Sequence, residues 1–67
     1  MSNIMIGIAG TEIRRGDMVK LVDGELLPAL LWEPNDGAAA EDIPRDTRAF
    51  RLQEGFWKVV PPGFRSF

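Results

Sequence analysis

The chain contains no cysteine, no histidine and no tyrosine. Without cysteine there are no disulfides, no thiolate metal sites and no thiol nucleophile. Without histidine the commonest zinc and copper ligand is missing, and so is the side chain most used for general acid–base work. Lys20 and Lys58 are the only lysines, and each alternates with apolar neighbours as a solvent-facing residue does. The only serines, Ser2 and Ser66, lie near the ends of the sequence, where nothing orients a nucleophile. Long apolar runs are lacking too. The longest, Leu26 to Trp32, is interrupted by Pro28 and falls far short of the roughly 20 residues that span a bilayer. The stretch Met1 to Ile8 has no basic segment of the kind that opens a secretory signal, so the expected compartment is the cytoplasm or something assembled there.

What remains for chemistry is carboxylates, glycines and one adhesion-like tripeptide. Glu41 with Asp42, or Glu33 with Asp36, could form a paired-carboxylate site, but both pairs sit in loop-like sequence as solvated acids do. Asp36, Glu41, Asp42 and Asp46 offer hard oxygen ligands without calcium-loop spacing. Gly7-Ile8-Ala9-Gly10 follows a strand pattern but leads into no helix, so it lacks the context of a phosphate loop. Arg15-Gly16-Asp17 reads as a turn before the next strand. The sequence therefore predicts a non-enzymatic protein with no catalytic, cofactor-binding or metal-binding residues.

A chain of 67 residues makes one domain and buries only about 60% of the surface its unfolded form exposes. Domains this small usually add a staple. With disulfides and thiolate metals excluded, a partner subunit is the one that remains. The formal net charge of −2 argues against general nucleic-acid binding, which needs Lys and Arg against phosphates. The charge is unevenly spread. Residues 1–44 carry three bases against eight acids, net −5, and residues 45–67 carry five bases against two acids, net +3. Such asymmetry suits pairing of the halves within one fold or alignment of neighbouring copies.

Ile4, Ile6 and Ile8 alternate with Met5, Gly7 and Ala9, a period of two that predicts a half-buried strand. In Met18 to Val22, Val19 and Leu21 face one side while Met18, Lys20 and Val22 face the other. Asp23-Gly24 between two apolar runs predicts a two-residue hairpin, because glycine tolerates the positive φ of a type I′ turn. The return strand is expected over Glu25 to Trp32, at a sheet edge or bulged near Pro28, which donates no ladder hydrogen bond. Residues 38–47 have no hydrophobic face and contain Pro44, so they read as a loop. Phe50 to Gln53 and Phe56 to Val60 read as a second hairpin about Glu54-Gly55. The competing reading is an Asp46 N-cap with a helix over 47–54. No internal repeat is evident. The expected architecture is all-β, a small five-stranded barrel or sandwich with tight hairpins and little helix, one domain over 1–67 with 61–67 as an extended C-terminal tail.

Trp32 and Trp57 are the natural core anchors. Trp57 follows Phe56, however, and adjacent strand residues point to opposite faces, so one of the two faces away from the core. With Phe64, Arg65 and Phe67 downstream, an exposed aromatic surface is expected near the C-terminus, and exposed aromatics beside an arginine are common interface anchors. Trp57, Phe64, Arg65, Phe67 and Trp32 are thus the candidate partner-binding residues.

The stretch from Gly10 to Ala29, with Ile13 ahead of a Gly16-Asp17 turn, an alternating strand, the Asp23-Gly24 hairpin and a return strand ending at Pro28-Ala29, resembles the opening of small phage capsid cement, or decoration, proteins. That resemblance implies a small β protein that binds the outer surface of a viral shell and stiffens it, often as a trimer over a symmetry axis. It implies the major capsid protein or other protein subunits as partners, self-association into a homo-oligomer, no nucleic acid, no membrane and no cofactor, and residence in the virion after assembly in the host cytoplasm. The same Gly-Asp-x-Val pattern resembles SH3-like barrels, some of which bind nucleic acid. A third reading is an inhibitor of a host enzyme acting through the acidic half.

Overall fold

The computed structural model describes residues 4–53 and 55–61. They form five strands and no helix: β1 (Met5–Ala9), β2 (Val19–Val22), β3 (Glu25–Pro28), β4 (Arg48–Arg51) and β5 (Lys58–Val59). The sheet order is β2-β3-β1-β4-β5, with β1 parallel to β3 and every other pair antiparallel.

The β2–β3 hairpin forms where Asp23-Gly24 places it. Both turn residues have positive φ, 51° and 83°, as a type I′ turn requires. Register follows, with Val22 opposite Glu25 and Val19 opposite Pro28. The return strand stops at Pro28 rather than running to Trp32. Nor is β3 an edge, since it lies between β2 and β1. Proline is accommodated because β1 pairs only with Glu25 and Leu26, leaving Pro28 as the last strand residue, beyond that ladder. Over 48–51 the strand reading holds and the helix does not form: β4 pairs along four residues with β1, from Met5–Arg51 to Ile8–Arg48, and continues into a hairpin with β5.

The alternation in β1 is present, and it is the small residues that point inward. Gly7 and Ala9 are buried, while Ile6 and Ile8 remain 39% and 43% exposed. The interior has no room for more. A Cβ added at Gly7 would lie 2.6 Å from Leu21 Cδ1 and 3.3 Å from the Gly24 carbonyl oxygen. The core is built from Ala9, Ile13, Val19, Leu26, Ala39, Ile43, Ala49 and Trp57, with Met5, Leu21 and Val59 packed against it.

Ile43 and Ala39 belong to the stretch whose composition reads as a loop. Residues 36–40 in fact span the gap between the two edges of the five-stranded sheet. On one side Asp36 N–H donates to Val19 O and Val19 N–H to Gly37 O. On the other Trp57 N–H donates to Ala38 O and Ala40 N–H to Trp57 O. Backbone bonding therefore continues from β2 to the β5 segment, giving a small partly open barrel.

The hydrogen bonds also disclose an internal two-fold that no sequence similarity announces. Ile13 and Ile43, thirty residues apart, exchange both of their backbone bonds (2.9 and 2.7 Å), which places the pseudo-axis between them. Gly16 N–H donates to Ala39 O and Ala39 N–H to Asp17 O. Thirty residues on, Asp46 N–H donates to Ala9 O and Ala9 N–H to Thr47 O. The two turns match, with Asp17 N–H on Arg14 O and Thr47 N–H on Pro44 O, and with positive φ at Gly16 and Asp46. The two hairpins correspond with one extra residue in the second: Ala29 N–H donates to Met18 O, and Val60 N–H donates to Arg48 O. Each half lends its first strand to the other half, so neither half can complete its ladders alone.

Candidate functional site

The two tryptophans have opposite fates. Trp57 is fully buried, its indole N–H donating to the Asp36 carbonyl oxygen at 3.0 Å. A buried indole of this kind holds the fold and has no surface to offer, which corrects the expectation that Trp57 binds a partner. Its neighbour Phe56 is the ring that faces outward, 61% exposed. Lys58 carried the signal. A lysine on the solvent face puts Phe56, two residues earlier, on that same face and Trp57 on the other. Phe64, Arg65 and Phe67, and the tail beyond Pro61, lie outside the described residues.

Trp32 is 80% exposed and Leu31 98% exposed, with Leu30 about half exposed beside them. Their position follows from the early end of β3. After Ala29 the chain makes a turn closed by Glu33 N–H on Leu30 O at 3.1 Å. The Glu33 carboxylate fixes it from both sides: one oxygen accepts from Leu30 N–H at 2.7 Å, and the other accepts from Lys20 Nζ at 2.6 Å. Those contacts hold the Glu33 carboxyl below the usual glutamate range, the Leu30 amide contributing most and the Lys20 ammonium next. The sequence context of Glu33 is that of a solvated acid and gives no sign of this bridging role. Met18, 48% exposed, adjoins the turn through its carbonyl bond to Ala29 N–H. The result is an apolar projection of Leu30, Leu31 and Trp32 on a pinned turn, with Met18 exposed just ahead of the adjoining β2 strand.

Three further loop carboxylates accept from backbone amides. Asp36 Oδ2 accepts from Leu21 N–H at 2.7 Å, on the β2 edge. Glu41 Oε2 accepts from Val59 N–H at 2.9 Å, on the β5 edge. Asp42 Oδ1 accepts from Arg15 N–H at 2.8 Å. These acids satisfy strand and turn amides, and among the described residues no group of three carboxylates converges on one point. Arg51 is similarly spent, its guanidinium donating to the carbonyl oxygens of Gly55 and Asp36.

A second apolar surface lies on the outer face of the sheet. Ile6 stands opposite Phe50, which stands opposite Lys58, and Phe50, Leu52, Gly55, Phe56 and Lys58 line a shallow groove there. Comparison with protein-family models, with curated proteins and with solved structures gives no match to this chain.

Proposed function

We propose that this chain is a non-enzymatic assembly protein that attaches to the outer surface of a larger protein shell, in the manner of a capsid cement protein, using the turn at residues 30–32 as its anchor. The supporting observation is the presentation of Leu31 and Trp32, almost fully exposed, on a turn whose geometry Glu33 fixes through Leu30 and Lys20. A large aromatic carried on a pinned backbone turn has only its own side-chain rotamers to order on binding, and aromatics concentrate binding energy at interfaces. In a core Trp32 would contribute several kcal/mol to folding. On this turn its value lies in an external pocket. The shell protein would supply that pocket, and the virion would be where the chain resides.

The test is co-sedimentation of the purified chain with shells of major capsid protein, using wild type and the double variant Leu31→Ala/Trp32→Ala. Loss of a central tryptophan anchor weakens binding by about thirtyfold or more, while a substitution at so exposed a turn shifts stability by less than about 0.5 kcal/mol. Binding by the double variant at wild-type strength, with wild-type circular dichroism, would refute the assignment. If wild type ignores shells and instead retains labelled RNA on a filter in a salt-dependent way, the SH3-like nucleic-acid reading takes its place.

A further inference from the structure

We infer that the outer face of the β3-β1-β4 sheet is a self-complementary surface on which a second copy of this chain docks. This goes beyond attachment through Trp32, which lies on a turn outside that face. One row of residues across the sheet carries the pattern. Ile8 on β1 is paired with Glu25 on β3 and with Arg48 on β4, and directly paired residues share a face. All three are exposed. Across the sheet the row reads acid, aliphatic, base. The neighbouring row adds Ile6, Phe50 and Lys58, so aliphatic side chains run along the middle strand and the free cations sit to one side of it. Among the described residues the one ion pair joins Lys20 to Glu33, so Glu25, Arg48 and Lys58 face solvent without an opposite charge bound to them.

A two-fold axis lying between two such sheets and parallel to β1 exchanges left for right. It sets Ile6 and Ile8 against the same residues of the copy and brings each Glu25 over Arg48 of the other. The contact is isologous, the arrangement of most homodimers, and sheets packed face to face in this way need side chains of the kind β1 shows outward. It also accounts for an otherwise unfavourable feature, a central strand that buries glycine and alanine and leaves its isoleucines at the surface. A two-fold pairing is not the trimer that resemblance to capsid cement proteins implies.

The experiment is sedimentation equilibrium of the full chain and of Glu25→Arg and Arg48→Glu. Both positions are exposed strand residues, and circular dichroism confirms the fold of each variant. Wild type is expected to show a monomer–dimer equilibrium that weakens as salt is raised. Either single reversal turns both interfacial attractions into repulsions and weakens self-association by about tenfold to a hundredfold. Mixing the two variants restores complementarity at both pairs, so a heterodimer forms from two species that are each monomeric alone. Trp32→Ala leaves the dimer intact, which separates this surface from the shell-binding turn. A wild type that stays monomeric up to about 1 mM, reversals that dimerise like wild type, or a mixture that stays monomeric would each overturn the inference.

Discussion

The pseudo-two-fold makes a quantitative claim about two isoleucines that look nothing alike in sequence context. Ile13 precedes a turn between two strands, while Ile43 lies in a segment with three alanines, two acids and a proline. Both are fully buried and exchange two backbone hydrogen bonds. Ile→Val removes one methylene, about 0.8 kcal/mol of transfer free energy. A residual cavity brings the expected cost to about 1 kcal/mol at each site. In a domain of this size that lowers the melting temperature by about 4–8 °C. Because the residues are directly opposed, the double variant should depart from additivity by about 0.5 kcal/mol. Thermal and urea unfolding followed by circular dichroism give all three values. Ile43→Val with no effect, beside a destabilised Ile13→Val, would show that 38–47 is a covering loop and not half of the core, and the internal symmetry would fall with it.

Gly7→Ala should destabilise by about 1 kcal/mol, because the new methyl meets Leu21 Cδ1 at 2.6 Å and also lies 3.3 Å from Leu26 Cγ and from the Gly24 carbonyl oxygen, so relief needs the core and the backbone to shift along with the Leu21 side chain. Chemical denaturation checks it, and a neutral result would mean that the interior has slack. Glu33 gives a pH dependence. Its carboxyl titrates below the ordinary glutamate value in the folded chain, so its support of the turn is complete above about pH 4.3 and is lost as pH falls through the lower folded-state value. Tryptophan fluorescence should report a change at Trp32 in that acid window before the fold is lost, and Glu33→Gln should remove the transition. A transition unaltered by Glu33→Gln would place its origin elsewhere.

Much of the fold was legible in the sequence because local chemistry set it. Asp23-Gly24 fixed a hairpin and its register, alternation marked β1 and β2, and Phe50 to Val60 did form a hairpin rather than a helix. The stretch 36–43 was not legible, and the reason is physical. It is held by isolated bridges, Met18 to Ala38, Ala39 to Trp57 and Ile13 to Ile43. A segment whose bonds alternate between different neighbours shows no period of its own. The direction of the β1 alternation was equally hidden. Hydrophobicity favours isoleucine inside, and only the distance from Gly7 to Leu21 decides for glycine. At the candidate site, the exposure of Trp32 depended on where β3 ended. Pro28 marked that end, yet the apolar residues after it read as continued strand. The roles of Glu33, Asp36 and Glu41 rest on bonds to amides 3, 15 and 18 residues away, which composition does not encode.

The acids at 36 and 41 carry one more implication. A sheet protein presented in many copies on a crowded scaffold runs the risk of its members zipping together, strand to strand, into an ordered fibre. Here Leu21 and Val59, whose amides would start such growth, are each already occupied by a carboxylate of the same polypeptide, and Pro61 has no amide hydrogen to offer. Strand addition at these two amides would first have to displace a carboxylate, which favours contact between copies through side chains.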